Sequence, residues 1–305
     1  MKVLVSDPIS QDSLDVLKSS GEFKVDVITE LDEDGLVETI SPYECIVVRS
    51  RTKVTKKVIE AAGNLKLIVR GGVGLDNIDL EAAKEKGIKV LNTPGTNAES
   101  VAELTIGLML CLARQIPQAH ATLVEGRWEK KKFRGFELGG KTLGIIGMGR
   151  IGRSVSAKAA ALGMTVLGYD PYVEDDVIRR AKANPATLDE IRRASDFLTI
   201  HVPISQETKN LVDSEFLAGV KDGIRIINCA RGGIVDEAAL LKAIESGKVG
   251  GAAFDVFESE PPGKSPLFEK ECVIGTPHIG AATVEAQERV GKEVVRVIME
   301  FNAGK

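Results

Sequence analysis

Residues 143–152 read LGIIGMGRIG, an apolar run that breaks into Gly147, Gly149 and Gly152 at G-x-G-x-x-G spacing. Alone, that spacing is a weak signal. Here it follows an apolar strand pattern over 142–146 and opens a helical pattern over 151–162. The next apolar run, TVLGYD, ends in Asp170, 18 positions after Gly152. Strand, glycine turn, helix and a second strand ending in an acid form the sequence signature of a dinucleotide-binding βαβ unit. Gly147 permits the tight turn. Gly149 lets backbone N–H groups approach a pyrophosphate, and Gly152 lets the helix pack closely on the strand. Asp170 can accept hydrogen bonds from both ribose hydroxyls and would repel a 2′-phosphate, so NAD is expected rather than NADP.

The same alternation runs through the whole chain. KVLVS, FKVDVI, CIVVRS, LKLIVRGG and IKVLNTP are short Val/Ile/Leu-rich runs separated by helical stretches. A second series follows the glycine loop: TVLGYD, FLTIHVP, IRIINCA, GAAFDVF and CVIGTP. Apolar runs without alternation are strands covered on both faces, and repeated βαβ units make parallel sheets. The chain's 305 residues exceed what one core usually supports. The predicted fold class is therefore α/β, with two doubly wound parallel-sheet domains. Between the series lie a long helical stretch at 98–115, stopped near Pro117, and a charged loop at 125–135. The segment 284–302 is one long helical pattern with no strand after it, free to pack back on the first block.

Composition excludes several classes. Charged residues are 28% and the formal net charge is −4, with no basic arm, so no nucleic-acid partner is expected. The most apolar run, LTIGLMLCLA, is half of the roughly 20 residues a membrane span needs. Met1-Lys2 leads straight into a strand-like run, which reads as a chain without a leader in the cytoplasm. Cys45, Cys111, Cys229 and Cys272 are widely separated, lack C-x-x-C spacing and lie in or beside apolar runs. They are expected to be reduced, buried thiols, and no metal is expected.

Ligands of doubly wound sheets bind outside the carboxyl ends of the strands. Past those ends lie His201-Val202-Pro203, Arg231 with Gly232-Gly233, Asp255 with Glu258 and Glu260, and His278 with Gly280. Hydride removal from an alcohol needs a base for the hydroxyl proton and a cation for the substrate carboxylate and carbonyl oxygen. It also needs a carboxylate to orient the base. His278, Arg231 and Glu260 match these three tasks. Glu258 competes with Glu260 for the third. His201, Val202 and Pro203 border the expected cofactor.

These segments, with VVRSRTKV, GGVGLDNID and NTPGTNAESVAELTIGLML in the first block, resemble the D-2-hydroxyacid dehydrogenase family over essentially the whole chain. The resemblance implies a Rossmann NAD-binding domain, residues 98–282, inserted into a flavodoxin-like, discontinuous substrate-binding domain, residues 1–97 and 283–305. It implies an active site in the cleft, with closure excluding water. It places the catalytic residues at Arg231, Glu260 and His278. Cofactor contacts are implied at Val73, Arg150, Ile151, Asp170, Val202, Cys229, Ala230, Asp255, His278 and Gly280, joining Gly147, Gly149, Gly152, Pro203 and Arg231. A homodimer through the nucleotide-binding domains, with the Trp128 loop reaching the partner, is implied too.

GRWEKKKFRGFELGGKTLGIIGMGRIG narrows the resemblance to members that oxidise 3-phospho-D-glycerate to 3-phosphohydroxypyruvate, the entry to serine synthesis. Arg49 and Arg51, flanking Ser50 past one strand, suit a phosphate. Arg70 and the Gly71-Gly72-Val73-Gly74 loop past another suit a carboxylate. Arg231 and His278 complete the expected substrate contacts. Relatives often carry a C-terminal serine-sensing domain; with the sequence running to Lys305, feedback through such a domain is not expected. The alternatives are a glyoxylate or hydroxypyruvate reductase, and an NAD-sensing corepressor-like binding protein.

Overall fold

Twelve strands and twelve α-helices follow one another along the chain in a computed structural model that describes residues 1–304. Lys305, the last position of the expected substrate-binding domain, lies outside the described residues. The chain divides into two compact units, residues 1–97 with 281–305, and residues 98–280.

In the first unit β1 (Lys2–Val5), α1 (Gln11–Ser19), β2 (Lys24–Val27), α2 (Glu33–Thr39), β3 (Cys45–Val48), α3 (Lys56–Ala61), β4 (Leu67–Arg70), α4 (Leu80–Glu85) and β5 (Lys89–Asn92) follow one another. Every strand pair is parallel, in the order β2-β1-β3-β4-β5. That is the flavodoxin-type order. The central strand β3, CIVV, is buried at all four positions, because both faces are covered.

The second unit begins with α5 (Ala98–Arg114) and α6 (Ile116–Val124). Sequence placed the helix stop near Pro117. The helix does end at Gln115, as its expected span 98–115 had it, but the break is made by Gln115 in the left-handed region at φ 53°, and Pro117 sits in the first turn of α6. Proline is tolerated there because its missing N–H would have had no partner.

Next come β6 (Thr142–Ile146), α7 (Arg150–Ala161), β7 (Thr165–Tyr169), α8 (Asp175–Arg180), β8 (Asn184–Pro185), α9 (Leu188–Ala194), β9 (Phe197–Ile200), α10 (Ser214–Ala218), β10 (Ile224–Asn228), α11 (Glu237–Glu245), β11 (Val249–Phe254) and β12 (Val273–Gly275). The sheet order is β12-β11-β10-β9-β6-β7-β8. Counted from β6, the order β8-β7-β6-β9-β10-β11 is the Rossmann 3-2-1-4-5-6, with β12 added at the edge. The order reverses between β6 and β9, so the topological switch point lies beside the glycine loop.

The last helix, α12 (Val284–Asn302), belongs to the first unit. Val290, Val294, Val297 and Ile298 on one face are buried with Val3, Val5, Cys45 and Val69 of its sheet. Each such fully buried aliphatic side chain contributes about 2 kcal/mol. Cys45 and Cys229 are buried, but Cys111 and Cys272 are only half-buried, because they lie at the C-terminal end of α5 and just before β12 rather than inside a layer. No helix among the described residues is long and apolar enough to cross a membrane.

Candidate active site

The glycine loop is built by close approach. Gly147 has φ 97°, and a Cβ there would lie 2.5 Å from the His201 carbonyl oxygen at the end of β9. A Cβ on Gly152 would lie 2.0 Å from the Gly147 carbonyl oxygen, so only glycine lets α7 descend onto the loop. Gly149 differs, since a Cβ there would meet no protein atom within 4 Å. Gly149 is also the N-cap of α7 and offers no side chain to its first turn. An uncapped helix N-terminus facing open space fits a pyrophosphate. Arg150 and Ile151 form that first turn.

Asp170 follows β7, half-buried. One carboxylate oxygen accepts the Met148 N–H at 2.8 Å and the other the Tyr172 N–H at 2.9 Å. A carboxylate has about four lone-pair sites, so acceptor capacity remains for ribose hydroxyls. His201 is half-buried, with its Nδ1 enclosed. Its Nε2 lies 3.0 Å from Thr199 Oγ1, and its Nδ1 has no partner among the described residues. Burial pushes its pKa down to about 3, so the imidazole is neutral. Val202 packs against Gly147, while Pro203 is exposed. Cys229 and Ala230 are buried at the end of β10, and burial pushes the Cys229 thiol up to about 12.

Arg231, Glu260 and His278 follow β10, β11 and β12, three adjacent strands of one sheet. Buried Asn228 braces the first turn, donating to the Arg231 carbonyl at 2.8 Å and accepting the Ala230 N–H at 3.0 Å. The Arg231 guanidinium donates to the Ala230 carbonyl at 2.7 Å. Gly232 presses this turn against the next loop, where a Cβ would lie 1.8 Å from the Phe257 carbonyl oxygen.

His278 Nδ1 lies 2.7 Å from Glu260 Oε2, while Glu260 Oε1 accepts the Phe257 N–H at 3.2 Å. Glu258 does not share this position; its N–H is held by Glu237 at 3.0 Å. His278 takes the left-handed conformation, φ 52°, which is costly for a residue with a side chain. Buried Asp255 holds that loop in place, accepting Thr276 Oγ1 at 2.7 Å and the Ile279 and Gly280 N–H groups at 2.8 Å each. The sheet thus gathers a His–carboxylate pair and an arginine beyond its carboxyl edge, with the glycine loop on the same edge.

Residues 106–280 match the family model described as "D-isomer specific 2-hydroxyacid dehydrogenase, NAD binding domain".

The chain belongs to that family.

Its NAD-binding unit is the one that carries the glycine loop and the His278–Glu260 pair. The D-3-phosphoglycerate dehydrogenase of Methanocaldococcus jannaschii is 48% identical over the whole chain, which spans 58% of that relative's length. The hydroxypyruvate reductase of Thermotoga maritima is 47% identical over 98% of the chain and 97% of its own length. The crystal structure of D-lactate dehydrogenase from Aquifex aeolicus complexed with NAD and lactic acid superposes with a TM-score of 0.86 at 32% identity, covering 100% of this chain and 96% of that one.

The remaining site candidates lie in the first unit, past the carboxyl ends of β3 and β4. Ser50 is exposed. Gly72 has φ 147°, and the Arg70 guanidinium lies across the space its Cβ would take. The Gly72 carbonyl accepts Thr93 N–H at 2.9 Å, and the Val73 carbonyl accepts Asn92 Nδ2 at 2.6 Å. The N–H groups of Gly72, Val73 and Gly74 donate to no group among the described residues, and Gly71 N–H donates to Val48. Sequence grouped Arg49 with Arg51, and the structure separates them. Arg51, an exposed residue, donates to buried Asp7 at 3.2 Å and to the Ser6 carbonyl at 3.2 Å, so its guanidinium already has partners in the chain.

Four supporting residues escaped the sequence reading: Asp7, Asn77, Asn228 and Glu237. Asp7 carried a usable signal, since it closes the run KVLVSD as Asp170 closes TVLGYD. Asn77 and Glu237 sit in loop and helix-start segments where polar residues are ordinary.

Proposed function

We propose that the chain catalyses the NAD-dependent oxidation of 3-phospho-D-glycerate to 3-phosphohydroxypyruvate, and its reverse. The observation that carries the redox reading is the 2.7 Å contact between His278 Nδ1 and Glu260, beyond the edge that also bears Arg231. With Nδ1–H donated to the carboxylate, Nε2 keeps its lone pair and takes the substrate hydroxyl proton. Arg231 holds the carboxylate and the forming carbonyl oxygen, where negative charge resides. NAD, which the glycine loop, the first turn of α7 and Asp170 would hold, would supply the hydride acceptor. Asp255 keeps the His278 loop rigid while the proton moves, and Arg49 with the N–H groups of 72–74 binds the anionic end of the substrate.

Relatives named D-3-phosphoglycerate dehydrogenase, 46–48% identical across the full chain, support the phosphorylated substrate. A second reading, hydroxypyruvate reduction, draws on the Thermotoga maritima relative of similar length and on the engagement of Arg51 by Asp7, which leaves one fewer arginine for a phosphate. The Trp128 loop, whose indole is 82% exposed, is proposed to pack on a second copy of the chain.

The test is NADH oxidation with phosphohydroxypyruvate, hydroxypyruvate, glyoxylate and 2-oxoglutarate side by side. A preference for the phosphorylated acid that weakens with salt supports the proposal, since ion pairs with exposed partners are screened. Equal rates with all four acids overturn it.

A further inference from the structure

Asp7 follows β1 and is 1% exposed. Its carboxylate accepts four hydrogen bonds from one turn: Arg49 N–H at 2.6 Å, Thr52 N–H at 3.1 Å, Thr52 Oγ1 at 3.0 Å and Arg51 Nε at 3.2 Å. The neighbouring Ser6 Oγ lies 3.1 Å from Thr52 Oγ1. From the other flank, Asn77 Nδ2 donates to the Arg49 carbonyl at 2.7 Å and to the Thr52 carbonyl at 2.6 Å. The turn 49–52 is therefore clamped between the end of β1 and the loop after β4. A buried carboxylate that fills its lone pairs with donors of one turn fixes that turn, because each donor left unpaired would lose its compensation for desolvation.

The clamp sends the two arginines different ways. The Arg51 guanidinium, though 51% exposed, is tied to Asp7 and the Ser6 carbonyl. Arg49 has only its backbone N–H on Asp7. Its stem lies against Gly71, with Cγ 3.3 Å from the position a Cβ would take, beside Val290. Its guanidinium reaches the Pro8 carbonyl only at 3.5 Å, longer than a normal N–H···O bond. Among the described residues no carboxylate side chain forms an ion pair with it. This half-buried cation feels the Asp7 carboxylate only through space and not through a side-chain hydrogen bond, so its donors stay available to a small anion.

We propose that Asp7 is a positioning residue for the substrate's anionic group: it presents Arg49 and withholds Arg51. This rests on the reading that the first unit binds the substrate anion through Arg49. Asp7 touches no substrate in this scheme and acts through the turn.

The experiment compares Arg49→Ala, Arg51→Ala and Asp7→Asn, measuring KM for phosphohydroxypyruvate, kcat and KM for NADH. Arg49→Ala is expected to raise the substrate KM about tenfold or more, the loss of one charge-assisted bond. Arg51→Ala is expected to leave it within about threefold, as for an exposed pair. Asp7→Asn replaces an acceptor by an NH₂ group facing donors, and should raise the substrate KM about fivefold or more through the lost charged hydrogen bonds. The KM for NADH and kcat should hold within about twofold, a split that general destabilisation would not give.

Should Asp7→Asn fail to fold, Asn77→Ala loosens the same turn from the other flank and is expected to show the same split. Arg51→Ala matching Arg49→Ala overturns the assignment, as does folded Asp7→Asn with an unchanged substrate KM. An Arg49→Ala enzyme with an unchanged substrate KM overturns the underlying substrate reading instead, whatever Asp7→Asn does.

Discussion

His278 Nδ1 and Glu260 Oε2 stand 2.7 Å apart although 18 residues separate them in the chain. The contact exists because β11 and β12 are parallel neighbours, Phe254 pairing with Gly275, so both following loops emerge at one sheet edge. Oε1 of the same carboxylate is tied to the Phe257 N–H, which fixes the direction in which Oε2 faces the ring. His278→Gln is expected to lower kcat by about 10²–10⁴, the usual contribution of a positioned acid–base group. Glu260→Gln should lower it less, because the imidazole remains and only its orientation and charge support weaken. Steady-state kinetics with NADH titrated by fluorescence checks both. Unchanged turnover in His278→Gln would remove the imidazole from the mechanism.

Two glycines of the loop separate packing from binding. Gly152→Ala drives a methyl to within 2.0 Å of the Gly147 carbonyl oxygen, a backbone atom that cannot step aside. Overpacking of this kind costs about 1–3 kcal/mol. A lower Tm and weaker NADH binding should appear together. Gly149→Ala meets no protein atom, so Tm should hold while NADH affinity falls. Thermal melts paired with NADH titrations distinguish the two, and equal Tm losses would show that Gly149 is structural as well.

Asp170 has a double duty that sets its own test. It braces the loop through Met148 N–H and still has lone pairs for ribose hydroxyls. Asp170→Asn removes the negative charge that repels a 2′-phosphate. The ratio of kcat/KM for NADPH over NADH should therefore rise about tenfold or more, the effect of about 1.4 kcal/mol. A ratio unmoved by the substitution would show that cofactor choice resides elsewhere.

How much of this was legible beforehand follows from physical range. The glycine loop is local, so Gly147, Gly149, Gly152 and Asp170 could be read from spacing within one βαβ unit. The strands were legible because parallel strands covered on both faces are continuous apolar runs, and only the two-residue β8 was too short to signal. That Arg231, Glu260 and His278 share an edge follows from strands that end alike. That Glu260, and not Glu258, meets His278 does not follow, because two acids in one loop have identical chemistry. The divergence of Arg49 and Arg51 was hidden for a related reason. It depends on Asp7, more than forty residues away, and no local pattern announces a partner at that distance.

His201 offers a test of stability against pH. Its ordinary value of 6.5 is pushed down to about 3 by burial alone, and among the described residues Nδ1 has no hydrogen-bond partner to compensate a proton. The folded protein therefore keeps this imidazole neutral, while the unfolded chain takes up a proton below about 6.5. Between those values the unfolded state binds more protons, so stability falls as pH falls, by at most about 1.4 kcal/mol per pH unit from this one group. Above pH 7 the group is neutral in both states and contributes no slope. His201→Gln retains a hydrogen-bonding partner for Thr199 and has no proton to gain. Its urea midpoint, measured at about pH 8.5, 7.5 and 5.5, should decline less than that of the wild type over the lower interval and match its slope over the upper one. Parallel declines throughout would mean that the folded protein accommodates the imidazolium, against the enclosure seen around Nδ1.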